Sequence, residues 1–191
     1  MQEVLCDAAW SLADVQLIVV GRGPGSFTGV RVGMAAAKGL SLTLSIPLIG
    51  VVSLDAMAFG ASSSIQGACI VPVIDAKKGE VFLSVHDESG KCLVAPSHVG
   101  RAAIGDYLQA QRQLYGKLVL VGEAATELQP EGYQVQDGPG YDLPSPLASA
   151  LLGLRVWESS PHDTCDLLEP LYVRPPDAKL PANSPPTPVL A

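Results

Sequence analysis

The stretch Val20 to Gly33, Val-Gly-Arg-Gly-Pro-Gly-Ser-Phe-Thr-Gly-Val-Arg-Val-Gly, constrains the fold more than any other part of the chain. It follows Leu17-Ile18-Val19-Val20, an apolar run with the length and branching of a buried strand. It precedes Val30 to Leu44, which reads as a helix. A strand, a glycine-rich turn and a helix in that order point backbone N–H groups at an anion or at a close neighbouring backbone. Gly21, Gly23, Gly25 and Gly29 give the turn access to positive φ, and Pro24 fixes one φ among them. Ser26 or Thr28 is placed to cap the helix by accepting a hydrogen bond from a free N–H.

Three enzyme motifs fail on these residues. A Walker P-loop needs Lys-Ser/Thr after its last glycine, and Gly29 is followed by Val30-Arg31. A dinucleotide fingerprint needs a third glycine where Ser26 stands. A nucleophile elbow needs glycines two residues either side of its serine, and Ser26 has Pro24 and Thr28 there. Ser26 is therefore read as a cap.

The same residues, Gly23-Pro24-Gly25-Ser26-Phe27-Thr28-Gly29-Val30-Arg31-Val32-Gly33 with Ala37-Lys38-Gly39-Leu40 behind them, resemble the TsaB (YeaZ) family. Further pieces of that pattern follow in order: Pro47 to Leu54, Val73 to Phe82, Leu120-Val121-Gly122 and Pro170 to Ala178. The resemblance runs roughly from Leu12 to Ala178. It implies an α/β actin/Hsp70/sugar-kinase-like (ribonuclease H-like) fold of two lobes. It also implies a subunit without chemistry of its own, which pairs with the catalytic relative TsaD. With the ATPase TsaE, that partner transfers threonylcarbamoyl to the adenosine beside the anticodon of tRNA. TsaB-like chains also self-pair through the same helices. The family pattern opens with an Asp-Thr-Ser strand and two further strands; here the chain starts with a helical pattern, so the N-terminal lobe is expected to be incomplete and marginally stable alone.

Bulk properties agree with a compact globular protein. Hydrophobic residues make up 48% of the 191 residues, enough for a real core, and aromatics only 5%, so Leu, Val, Ile and Ala fill it. The net charge of −7 disfavours autonomous binding to phosphate backbones; the resemblance then implies that tRNA is met only through the complex. Cys6, Cys69, Cys92 and Cys165 are scattered without metal-ligand spacing, which reads as buried reduced thiols in a cytoplasmic protein, with no metal or other cofactor. Met1 to Trp10 lacks the basic start of a signal peptide, and no apolar run is long enough to span a membrane.

The expected organisation is a partial first lobe over residues 1–62, a second lobe over 63–173, and a proline-rich, disordered tail over 174–191. In the first lobe, Val30 to Leu44 carries only Arg31 and Lys38 as charges, so it is apolar over most of its circumference and must be covered on more than one side. Val30, Met34 and Ala37 lie on one side; Gly33, Ala36, Leu40 and Leu44 lie on another. The family resemblance makes Val30, Gly33, Met34, Ala36, Ala37 and Leu40 the candidate partner interface. The candidate turn residues are Gly23, Gly25, Ser26, Thr28, Gly29 and Arg31.

In the second lobe, Asp75 and Glu80 flank a hairpin turn at Lys77-Lys78-Gly79 and read as turn chemistry and not as an acid–base pair. Ser53 is read as a helix cap, and Leu171 to Val173 as a last strand. His86, His98 and His162 sit near turns and read as solvated. No nucleophile, base and orienter can be linked, so no catalytic residue is expected. The competing reading is a small kinase-like enzyme of the same superfold, with the glycine-rich turn as phosphate cradle and Arg22, Arg31 and Lys38 supplying charge.

Overall fold

In the computed structural model the described residues are 2–138, 140–161, 165 and 167–174. His162 and the tail from residue 175 onward lie outside them. Two sheets organise the chain. In the smaller, β1 (Ile18–Gly21) pairs in parallel with β2 (Leu48–Val51), in register from Ile18 opposite Leu48 to Gly21 opposite Val51. The connection between them is helix α2 (Phe27–Leu44), a βαβ crossover.

The larger sheet has five strands in the order β5-β4-β3-β6-β7. Its strands are β3 (Cys69–Lys77), β4 (Glu80–His86), β5 (Cys92–Gly100), β6 (Leu118–Val121) and β7 (Gln134–Gln136). The β3–β4 and β4–β5 pairs are antiparallel hairpin neighbours, whereas β3–β6 and β6–β7 are parallel. Lys77, Lys78 and Gly79 all take positive φ in the β3–β4 turn.

Helices cover this sheet on both faces. Helices α4 (Ile104–Tyr115) and α5 (Glu123–Leu128) close one face, where Val71, Val73, Leu83, Val85, Leu108 and Leu120 form the largest core cluster. On the other face lies α3 (Ser53–Ala61), which packs Ala58 and Ala61 against Ile70, Val119 and Val121, and Leu54 and Met57 against Ile74 and Phe82. The β6–α5 turn needs Gly122, which has a φ of 112° and lies so close to the Val73 carbonyl and Met57 that a Cβ would collide.

The chain then returns to the small sheet. Helix α6 (Pro146–Ser159), capped by Ser145 and started by Pro146, lies against α3, β1 and β2. Gly153 lets it approach, since a Cβ there would collide with Val19. Leu168 likewise covers Gly50.

Several local expectations change. Helix α2 begins at Phe27, three residues earlier than its apolar pattern suggests, because the Ser26 cap acts directly on Gly29 N–H. Ser53 is the first residue of α3 and makes no side-chain cap; Val52 is the N-cap. The amino-terminal helix α1 is short, Gln2–Asp7, and breaks where Ala9 adopts a φ of 53°. Leu171 to Val173 forms no strand; Leu171 N–H donates to the carbonyl of Arg22, just beyond the end of β1, at 2.7 Å. A single bond does not build a ladder.

Candidate functional site

The glycine-rich turn is held largely by its own chain. Arg22 N–H donates to the Val51 carbonyl (2.8 Å), and the Gly23 carbonyl accepts from Ser53 N–H (2.8 Å). Gly23 has a φ of 96°, and a Cβ there would press on the Leu171 carbonyl. Gly23 and Pro24 are buried, Gly25 half-buried, and Ser26, Thr28 and Gly29 exposed. The turn thus serves as the junction where β1, α3 and the segment before Val173 meet.

Arg31 is engaged as well. Its Nε–H donates to the Tyr172 hydroxyl at 2.7 Å, and its guanidinium sits 3.9 Å from the centroid of the Phe27 ring. The Phe27 and Tyr172 rings are 5.9 Å apart. A cation over an aromatic face is attracted by the ring quadrupole, here that of Phe27. Of the charges named for a phosphate cradle, Arg31 is already committed to this cluster.

Helix α2 has two unlike faces. Met34, Ala37 and Ser41 are buried, with Val30 beside them, against Leu48, Ile18, Val20, Cys165 and Leu168. The opposite side carries Gly29, Val32, Gly33, Ala36, Gly39 and Thr43, all exposed and at the three- and four-residue spacing of one continuous strip. Leu40 borders the strip half-buried, and Phe27, Val32 and Leu42 are 59%, 63% and 68% exposed. A Cβ added at Gly33 or Gly39 would meet nothing within 4 Å, so the chain's own packing requires neither glycine. The six candidate interface residues therefore divide. Met34 and Ala37 are core, Val30 and Leu40 are intermediate, and Gly33 and Ala36 face outward.

The carboxylates at the β3–β4 turn have separate cationic partners. Asp75 bonds Lys77 Nζ (2.7 Å) and Arg101 (3.3 Å), and Glu80 bonds Arg174 (3.2 Å). The Lys77 ammonium holds the Asp75 carboxyl below its usual range, helped by the Lys77 backbone N–H and Arg101.

A further cluster lies at the first turn of α3. Asp55, His86 and Cys92 bring one ligand atom each to within 4.8 Å of one another. His86 is completely buried, which corrects its reading as solvated, whereas His98 is exposed and bonds the Val173 carbonyl. Strand β4 is covered by α3 at that end, and the register sets His86 directly opposite Cys92. The His86 Nδ1–H donates to the Gly90 carbonyl (3.1 Å), and Nε2 lies 2.9 Å from Ser84 Oγ and 3.7 Å from Asp55 Oδ1. Asp55 Oδ1 is buried without a hydrogen-bond partner. Burial pushes the Asp55 carboxyl up, partly offset by His86; burial pushes the His86 imidazole down, partly offset by Asp55.

The thiols also differ from expectation: Cys165 alone is buried, Cys69 is intermediate, and Cys6 and Cys92 are exposed, all four unbridged. The sequence clue to the cluster was the hairpin parity of His86-Asp-Glu-Ser-Gly-Lys-Cys92, visible only once both strands were assigned. Asp55, from a distant helix, left no clue.

A parallel β-α-β unit joined to a larger mixed sheet, with helices on both faces and a glycine-rich turn at the junction, defines a mixed α/β protein of the actin/Hsp70/sugar-kinase-like class. A solved structure of a Pseudomonas aeruginosa protein with similarity to peptidase YEAZ superposes with a TM-score of 0.69 at 24% identity, covering 91% of this chain and 80% of that one. A family model described as TsaD, tRNA N6-adenosine threonylcarbamoyltransferase, matches residues 1–156. The tRNA threonylcarbamoyladenosine biosynthesis protein TsaB of Escherichia coli (strain K12) is 31% identical, over 91% of this chain and 77% of that protein. TsaB of Haemophilus influenzae is also 31% identical, over 91% and 76% of the two chains. The chain belongs to the TsaB (YeaZ) family.

Proposed function

We propose that this protein is the accessory, non-catalytic subunit of a complex that forms threonylcarbamoyladenosine on tRNA, and that it docks a TsaD-like catalytic partner through the outer strip of α2. The observation that carries the reading is that strip. Gly29, Val32, Gly33, Ala36, Gly39 and Thr43 present an uncharged, shallow surface where a second helix can approach closely. Two of its glycines have no role in the chain's own packing. The partner performs the transfer, a TsaE-like ATPase joins the assembly, and tRNA is met only there, in the cytoplasm. Self-pairing through the same strip is the resting alternative to the partner. Residues 1–62 form the docking lobe and 63–173 the second lobe, with the segment from Pro146 tying the two together.

Co-purification with the TsaD homologue tests this. Ala36→Arg places an unpaired charge in the interface, whose burial costs several kcal/mol, and abolishes capture. Met34→Glu is unsuitable, since Met34 is core. Undiminished capture by Ala36→Arg, or ATP turnover by the isolated wild-type chain, would overturn the reading.

A further inference from the structure

The Asp55, His86 and Cys92 cluster contains an electrostatic mismatch. The Gly90 carbonyl can only accept, so His86 Nδ1 carries the proton and Nε2 of the neutral ring presents a lone pair. That lone pair has Asp55 Oδ1 3.7 Å away, a second acceptor, buried and without a donor of its own. Ser84 Oγ–H fills the Nε2 lone pair at 2.9 Å, so the unmet acceptor is Asp55 Oδ1; the Cys92 sulfur, whose S–H donates to the Val94 carbonyl at 3.4 Å, lies within 4.8 Å of both ligand atoms. An imidazole fixed by an Nδ1–H bond to a carbonyl, with Nε2 turned towards other donors, has the arrangement of a metal-ligating histidine.

The dimensions fit a small cation. Ligand bonds of about 2.0–2.3 Å at a tetrahedral ion place neighbouring donors roughly 3.3–3.8 Å apart. The Asp55–His86 separation of 3.7 Å is already there. One oxygen, one imidazole nitrogen and one sulfur form a borderline-soft set, suited to zinc and unsuited to magnesium or calcium.

The fold holds the three donors on separate elements. His86 ends β4, Cys92 begins β5 directly opposite, and Asp55 stands in the first turn of α3. Gly90, with a φ of 85°, lets the hairpin turn press against the Phe59 backbone of α3. Cys92 is exposed, which gives an ion a way in and solvent a fourth coordination position. Ser84 Oγ–H is the group that donates to Nε2 in the absence of metal, and it competes with the ion.

We propose that Asp55 Oδ1, His86 Nε2 and Cys92 Sγ form a binding site for a zinc-class divalent cation that staples the β4–β5 hairpin to α3. On binding, the Cys92 thiol gives its proton to solvent and coordinates as thiolate, the Asp55 carboxylate binds through Oδ1, and no redox change occurs.

Titration of the chelator-treated full chain with Co²⁺, followed by displacement with Zn²⁺, tests the site. The expected result is one equivalent of Co²⁺ with a thiolate-to-cobalt absorption band, abolished by Zn²⁺ addition and absent in Cys92→Ser. Asp55→Asn should weaken binding by about tenfold or more. Ser84→Ala removes the competitor and should tighten it. Zn²⁺ should raise the Tm of the wild type and leave that of Cys92→Ser unchanged. Cys92→Ser alters an exposed side chain nearly isosterically, so its fold is preserved. A band that persists in Cys92→Ser, as it would if exposed Cys6 were the ligand, overturns the proposal. So does Co²⁺ binding without a thiolate band, or no binding at all.

Discussion

Helices α2 and α3 are both largely apolar, yet the fold uses them differently. Helix α3 lies between the five-stranded sheet and α6, and Leu54, Ala56, Met57, Ala58 and Ala61 are all buried. Helix α2 rests on β1, β2 and the segment of Cys165 and Leu168, and three of its 18 residues, Met34, Ala37 and Ser41, are buried. Strand neighbours repeat the contrast: β6 is buried at every position, while none of β1 is fully buried. An apolar helix that is wrapped contributes to stability; one covered on a single side offers surface to another chain.

The largest effect that would test this contrast is in α3. Leu54→Ala should cost about 2–5 kcal/mol in urea unfolding, through lost burial and the cavity left behind. Leu42→Ala, on the open side of α2, should stay within about 0.5 kcal/mol. Equal losses at the two sites would show that both helices are covered in solution. Next comes the link between the regions: Gly153→Val forces a side chain into Val19 and should cost about 1–3 kcal/mol, again read by urea unfolding. A neutral result would mean that α6 does not rest on β1.

A smaller effect is expected at the mouth of the glycine-rich turn. Tyr172→Phe leaves the ring and removes the hydroxyl that Arg31 bonds, so it should cost at most about 1 kcal/mol of thermal stability. The smallest is electrostatic. The folded-state pKa of Asp75 is lowered, so its contribution is fully present above the unfolded carboxylate value and is lost as pH falls through the folded one. Acid titration of stability below about pH 4 should therefore be flatter in Asp75→Asn than in the wild type. An unchanged profile would mean that Lys77 and Arg101, with Glu127 beside them, compensate fully.

The residues themselves specified much of this architecture. The run Leu17 to Val20, the glycines after it and the apolar periodicity from Val30 dictated a strand, turn and helix, because each signal is local: strand branching, positive φ, helical spacing. The turn at Lys77-Lys78-Gly79 was legible for the same reason. Which side of α2 faces inward was only half legible: the grouping of Val30, Met34 and Ala37 was visible, but not that this group is the core and Gly33 and Ala36 the surface. That depends on where β1, β2 and the segment around Leu168 lie, and Leu168 is more than 120 positions from Met34.

That Asp55 joins His86 and Cys92 was hidden for a stronger reason. A helix, a strand end and a strand start converge there through the register of β4 with β5 and the packing of α3 on both. Sequence alone determined the strand, glycine-rich turn and helix at the start of the fold, since φ preferences and apolar period act between near neighbours. Tertiary structure alone decided which apolar face stays open and which polar atoms meet, since burial depends on what the rest of the chain brings alongside.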